Sequence, residues 1–223
     1  MKEGTFAAAP FGVVQEGAVA PSWPPEAFLM DHYRAFVGLA LPESYQTALA
    51  ALRERVSARL GGGWGWTRPG NWHLTLKFLG DVPLGGPGGL DQVREALAGV
   101  VFFPFVLAGQ GGGFFPHARR PRVAWIGLGQ GREACTRLAG AVEEVMAPLG
   151  YPAGDRPFAA HLTVARVRDP GRAGDMAVLE RELGAMALPA VTVTDFTLWR
   201  SELGPGGPRY TVLDTVPAAG DGL

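Results

Sequence analysis

The chain has 223 residues, 47% of them hydrophobic, which is enough to bury one substantial core and suits one large domain or two small lobes. A formal net charge of -1 leaves no global basic field, so a chromatin-like or coating role is excluded and any nucleic-acid contact must be a local site. A single cysteine, Cys135, rules out an intramolecular disulfide and fits a reducing compartment, and no apolar run approaches the ~18 residues of a membrane span.

Residues 1–30 are rich in Ala, Pro and Gly without sustained periodicity and are expected to form a flexible extension; Met30, just before the first strand, is a candidate translation start. They lack the basic segment followed by a clean apolar segment of a secretory leader, so a cytoplasmic protein with no membrane partner is expected. The segment 33–41 predicts a strand, and "PESYQTALAALRERVSARL" a helix that starts near Pro42 and stops at the glycines 61–63. The loop "GGGWGWTRPGN" leads to a strand that opens with "HLTLKFLG" and ends at Gly80, then a helix around "LDQVREALAGV" and a strand near "FPFVLAG". The glycines at 111–113 are expected in a loop.

The second half repeats this order. "RVAWIGL" predicts a strand, and Leu138, Val142, Val145, Met146 and Leu149 recur at helical spacing in "GREACTRLAGAVEEVMAPLG". "HLTVARV" (161–167) predicts the next strand, followed by a short helix near "AVLERELGAM", one strand over "VTVTDFTLWRSEL", and a last strand "RYTVLDTV" after a Gly-Pro turn. Each half therefore reads strand, long helix, motif strand, short helix, strand. A diverged internal duplication would set the two motif strands across a pseudo-twofold axis, so that one site receives one histidine from each half.

Side chains on a strand alternate between faces, which places His73, Thr75 and Lys77 on one side and Leu74, Leu76 and Phe78 on the other. The same rule sets His161 with Thr163 and sends Leu162 and Val164 to the core. Two of only four histidines fall in this His-apolar-Thr-apolar pattern. Either copy alone is a weak signal, because a strand histidine is commonly structural; the pair is stronger. Two imidazoles at one site suit a reaction that removes a proton at one point and supplies it at another, since histidine titrates near neutrality. The threonine hydroxyls offer donors to an anion without adding negative charge, and phosphate is the natural occupant. Displacement at phosphorus needs entering and leaving oxygens roughly in line, with a base on one side and an acid on the other.

"HLTLKFLG", "HLTVAR", "FFPHARRPRVAWIGL" and "LWRSELGPGGPRYTVL" together resemble the 2H phosphoesterase superfamily over residues 33–217, and within it the RNA 2′,3′-cyclic phosphodiesterase branch, also labelled 2′-5′ RNA ligase. The resemblance implies an α+β, bilobal, duplicated fold, with two antiparallel sheets flanked by helices around a central cleft. It implies a single such domain over 31–217 with a C-terminal tail at 218–223. It also implies metal-independent hydrolysis of the 2′,3′-cyclic phosphate end of an RNA or nucleotide to a 2′-phosphate. His73 would be the general acid, His161 the general base, and Thr75, Thr163 and Arg166 would hold the phosphate. Arg166 comes from the resemblance alone: in a flat strand it is out of phase with His161, and a bulge, a strand end or the reach of its side chain would be needed. The same site could instead join or cleave 2′-5′ linkages, or bind RNA ends without turnover.

No cofactor is expected: the histidines lack an H-E-x-x-H or a cysteine-pair context for zinc, and no G-x-S-x-G or phosphate-binding glycine loop occurs. Lys77 is expected to be exposed on the strand. Trp64, Trp66, Trp72 and Phe36 read as core, His117 with Arg119, Arg120 and Arg122 as a solvated turn, and His32 lies outside the site. A monomer is expected, with an RNA or oligonucleotide bearing a cyclic phosphate as its partner.

Overall fold

The computed structural model describes residues 31–205 and 207–220. The proposed N-terminal extension, the start at Met30 and the last three residues lie outside the described residues. Within them the chain runs β1 (His32–Ala40), α1 (Glu43–Ser57), β2 (Trp64–Trp66), β3 (His73–Pro83), α2 (Leu90–Ala98), β4 (Phe105–Phe115), β5 (Val123–Gln130), α3 (Arg132–Met146), β6 (Leu162–Val167), α4 (Met176–Gly184), β7 (Val191–Val193), β8 (Asp195–Gly204) and β9 (Gly207–Pro217).

The helices form where apolar residues recur every three or four positions. Tyr45, Leu49, Leu52 and Val56 bury one face of α1, and Cys135, Leu138, Val142 and Met146 bury one face of α3. Asp175 caps α4 by accepting from the backbone N–H groups of Ala177 at 3.1 Å and Val178 at 3.3 Å. Burial pushes the Cys135 thiol up to about 12, which leaves it an inert core residue, as expected.

All strand pairs are antiparallel, in the order β7-β4-β5-β6-β3-β1-β8-β9, with β2 added to β6. The two sheets that the resemblance implies are thus two parts of one path, joined where β3 meets β6 at a single residue pair, Leu74 with Leu162. About that pair the arrangement is pseudo-symmetric: β3-β1-β8 on one side answers β6-β5-β4 on the other. The helices are exchanged between the lobes. Helix α3, from the second half, packs on β3, while α1, from the first half, packs beside α4, which covers β4. Tyr45 of α1 fixes that exchange by donating to the Pro189 carbonyl at 2.7 Å and accepting from the Gly109 N–H at 3.1 Å.

Several elements differ from the sequence reading. The segment 191–203 is two strands: β7 pairs with β4 and β8 with β1, so the chain passes from one lobe to the other at Thr194. Only that one residue separates two stretches of strand-forming side chains, so periodicity alone does not mark the crossing. The glycines 111–113 lie in β4, beside β5. There Gly113 makes room for the Trp125 ring, whose atoms would lie 3.2 Å from any Cβ added at that position. Trp64–Trp66, inside the expected loop, forms β2 on β6, and β3 continues past Gly80 to Pro83.

The largest correction concerns Lys77 and Phe78. On β1, Val37 pairs with Lys77 and the next residue, Gly38, with Thr75, so Leu76 is an extra residue on β3. This bulge shifts the phase of the strand. Lys77 turns inward, its side chain only 3% exposed, to an ion pair with Glu143 of α3 and a 2.9 Å hydrogen bond to the Pro152 carbonyl. Phe78 turns outward and is 65% exposed. Lys77 therefore joins β3 to α3 and does not belong to the cleft. Lys77→Ala should cost about 3 kcal/mol of stability in urea unfolding, because it strips the partner from Glu143 and leaves a gap, whereas Lys77→Met, which keeps the stem, should cost less. If neither substitution moved the unfolding midpoint, the side chain would have to be solvated, as on a flat strand.

Candidate active site

The pairing of Leu74 with Leu162 fixes the site. Continued by one residue in each direction, this antiparallel register sets His73 beside Thr163 and Thr75 beside His161. The histidines are then diagonal neighbours, a relation that spaces residues ~7–8 Å apart, with their Cβ atoms somewhat closer. The four side chains lie on one face, all half-buried, while Leu74 and Leu162 are fully buried behind them. Beyond Leu162 the strands part: the edge of β6 that faces β3 is taken up by β2, with Trp66 opposite Ala165 and Gly65 opposite Arg166. That change of partner opens the cleft.

A second bulge mirrors the first. Ala124 pairs with Ala165 and the next residue, Trp125, with Thr163, leaving Val164 as the extra residue. The bulge brings Arg166 onto the face of His161 and Thr163. Arg166 is exposed and makes no ion pair among the described residues. The register thus brings His73, Thr75, His161 and Thr163 together, and the bulge adds Arg166 to them.

Both imidazoles are held alike. Nδ1 of His73 donates to the Asn71 carbonyl at 2.8 Å, and Nδ1 of His161 to the Ala159 carbonyl at 2.7 Å. A carbonyl can only accept, so in each neutral ring the proton sits on Nδ1 and Nε2 carries the lone pair. Asn71 is anchored by its own side chain, which donates to the Pro208 carbonyl at 2.7 Å. Gln46 of α1 clamps the same loop, donating to the Trp72 carbonyl at 3.0 Å and accepting from the Gly70 N–H at 2.9 Å. Neither Thr75 nor Thr163 has its hydroxyl hydrogen-bonded among the described residues, so both are free to donate to a bound anion.

Aromatic rings wall the site. Phe36 lies 4.7 Å from the His73 ring and stacks on Trp199 at 5.1 Å; Phe115 lies 5.0 Å from the His161 ring and stacks on Trp125 at 5.0 Å. Gly38 permits this on the first side, since a Cβ there would lie 2.4 Å from the Leu74 carbonyl oxygen and 3.2 Å from the Trp199 ring. Tyr210 of β9 meets His73 edge-on at 5.2 Å. Burial pushes the Tyr210 phenol up, against the opposing pull of the Arg166 and Arg34 charges.

The sequence reading puts Phe36 in the core; it is buried, but at the cleft face against His73. Phe78, Tyr210, Trp125 and Phe115 escape that reading. For Phe78 a signal is present, because it follows His73 by the same five positions that separate Arg166 from His161. The two bulges carry both residues to the cleft face. Trp64 and Trp72 are core, as expected, and His32 and His117 are exposed.

Burial lowers the affinity of both histidines for a proton, partly offset by the backbone hydrogen bonds to Asn71 and Ala159. The Arg166 charge lowers it further for each, and His161 adds to the effect on His73. Both rings therefore rest neutral at pH 7. A cavity of about 760 Å³ lies elsewhere, between β4, β5 and the start of α3, and contains none of these groups. We assign the site to the cleft all the same, because the convergent titratable groups are there. No three His, Cys, Asp or Glu side chains gather as a metal-ligand set among the described residues.

Two histidines with free Nε2 atoms, two hydroxyls and one guanidinium, contributed by equivalent strands of a duplicated α+β fold, define a two-histidine phosphoesterase. Comparison with known proteins agrees. The family model for LigT-like phosphoesterases matches twice, over residues 39–125 and 126–210, one match per half. The chain belongs to the LigT-like phosphoesterase family of the 2H superfamily. An Archaeoglobus fulgidus protein named RNA 2′,3′-cyclic phosphodiesterase is 40% identical over 145 residues, covering 65% of this chain and 78% of that protein. A crystal structure from Thermus thermophilus matches with a TM-score of 0.69 and 29% identity over 84% of this chain and 99% of that one. Escherichia coli LigT complexed with 3′-AMP matches with a TM-score of 0.65 and 25% identity over 85% of this chain and all of that one, 100%.

Because both histidines have folded pKa values below the 6.5 of the free side chain, the unfolded chain binds more protons just below that pH. Their contribution to stability is complete above 6.5 and is lost as pH falls towards the folded values. In NMR titrations both rings should titrate below 6.5, and inorganic phosphate should move both upward by offsetting the Arg166 charge. A ring that titrates above 6.5 in the free protein would contradict the desolvated site.

Proposed function

We propose that the protein hydrolyses the 2′,3′-cyclic phosphate end of an RNA or nucleotide to a 2′-phosphate, using His161 as general base and His73 as general acid. The observation that carries this reading is the diagonal pair of imidazoles, each with Nδ1 tied to a backbone carbonyl and Nε2 left for substrate. Named relatives that are RNA 2′,3′-cyclic phosphodiesterases, and a related structure holding 3′-AMP, support an RNA-end substrate. Residues 31–217 act as one catalytic unit. The working form is a monomer in the cytoplasm; no helix among the described residues is long and apolar enough to cross a membrane.

In the reaction, Nε2 of His161 takes a proton from water as the water oxygen bonds to phosphorus. The bond from phosphorus to the ribose 3′ oxygen breaks, and His73, which takes a proton from solvent onto Nε2 as the anionic substrate binds, gives that proton to the departing oxygen. Arg166 presents its planar fork to the equatorial oxygens, and the Thr75 and Thr163 hydroxyls donate to them. The direction follows from the asymmetry of the cleft. The open ring of Phe78, with Phe36 behind it at 6.1 Å, lies on the His73 side and offers a nucleobase an apolar face, while the guanidinium lies on the His161 side. The nucleoside, and with it the leaving oxygen, then belongs beside His73.

His73→Ala and His161→Ala should each lower turnover of a cyclic-phosphate-ended oligonucleotide by at least ~100-fold with the fold intact, and the wild-type rate should persist in EDTA. Full activity in either variant, or strict dependence on an added divalent ion, would refute the scheme. Phe78→Ala should reduce kcat/KM about 5- to 100-fold, the range for one stacked base, and Phe78→Tyr should restore most of it; equal losses in the two would remove stacking as the cause.

A further inference from the structure

On the cleft face of the His73 lobe, one row of residues lies beyond the aromatic wall. Ala35 of β1 pairs with Arg200 of β8, and Ser201 of β8 with Tyr210 of β9. Continued by one residue, the first register sets Arg34 beside Ser201, so Arg34, Ser201 and Tyr210 form a row across three adjacent strands. Alternation along β1 puts Arg34 on the face of Phe36, two residues and ~7 Å further along the strand. Tyr33, on the opposite face, carries the Arg200 guanidinium 4.1 Å above its ring.

The charges of the two faces are treated differently. On the back, Arg200 and Arg209 both pair with Glu202, each at 3.1 Å. On the cleft face, Arg34 is exposed and has no ion pair among the described residues, although Asp81 is its Cα partner on β3. Tyr210 feels the charge of both Arg34 and Arg166, and its hydroxyl is not hydrogen-bonded among the described residues. The cleft thus offers two guanidinium groups in reach of one phenol, and the catalytic phosphate uses only Arg166.

A nucleoside seated on Phe78 and Phe36, with its cyclic phosphate at the histidines, has one remaining point of attachment to a longer chain, its 5′ oxygen. We propose that Arg34 and the Tyr210 hydroxyl form a second phosphate subsite, which takes the phosphate on the 5′ side of the terminal nucleotide and fits the enzyme to an RNA chain end rather than to a free cyclic mononucleotide. This rests on the hydrolase reading above. Arg34 supplies a charge-assisted contact, Tyr210 a hydroxyl donor, and neither takes part in bond making or breaking.

The test compares three substrates: adenosine 2′,3′-cyclic phosphate, the same nucleotide bearing a 5′-phosphate, and a dinucleotide with a cyclic phosphate end. Wild-type kcat/KM should be about tenfold higher for the two that carry the extra phosphate. Arg34→Gln should erase that advantage while leaving adenosine 2′,3′-cyclic phosphate unaffected, and Tyr210→Phe, which keeps the ring against His73, should erase part of it. An advantage that survives Arg34→Gln, or a loss shared equally by all three substrates, would overturn the subsite and leave the hydrolase standing. Failure of the wild-type protein to hydrolyse any of the three would overturn both.

Discussion

The meeting of Leu74 and Leu162 is the constraint on which the site depends. Each leucine is fully buried, and each lies between the histidine and threonine of its motif. A strand that slips by one residue exchanges its two faces, so the apolar side chains cannot stay in the core unless both histidines face the cleft. The geometry of the imidazoles is therefore secured by hydrophobic burial behind them, and no contact between the two rings is needed to hold them in place. The pair also lies on the pseudo-twofold axis, which is why a single contact can orient two motifs at once.

The exchange of helices makes that contact rigid. Helix α1 leaves the first lobe to lie against α4, α3 leaves the second to lie on β3, and the chain crosses again at Thr194 between β7 and β8. Neither lobe can form its core from one half of the sequence. Lys77 of β3 is bound to Glu143 of α3, so the strand that carries His73 is held by the half that supplies His161. A duplicated chain whose halves folded separately would leave the cleft to a flexible hinge; here its width is set by shared packing.

Most of the order of elements, the duplication and the facing of His73, Thr75, His161 and Thr163 are legible in the sequence, because each rests on periodicity over short, regular strands. Legibility ends where the backbone departs from regularity. A bulge adds a residue without any side-chain signature, so alternation carried past Leu76 sends Lys77 to the cleft and Phe78 to the core, the reverse of their positions. The same irregularity at Val164 is what brings Arg166 onto the face of His161 and Thr163. The crossing at Thr194 is hidden for a related reason: the residues on either side of it all suit a strand, and nothing in their composition says that they belong to different lobes.

Symmetry brings the histidines together, but the reaction needs them to differ. The bulges put Phe78 and Arg166 at equivalent places, an apolar ring on one side and a permanent cation on the other, and this divergence gives the cleft its polarity. It also bears on the proton. In the free protein burial and Arg166 both disfavour an imidazolium, so His73, the proposed acid, is not charged in advance. A bound cyclic phosphate brings a negative charge against Arg166 and cancels the repulsion that His73 feels from it. The imidazolium of His73 is then less disfavoured with a phosphate in the site than in the free protein, while burial still opposes it. In the proposed scheme the arginine that holds the anion thus adds to burial in keeping His73 neutral in the free protein, and a site with a cation at both equivalent positions would lose the distinction between the two histidines.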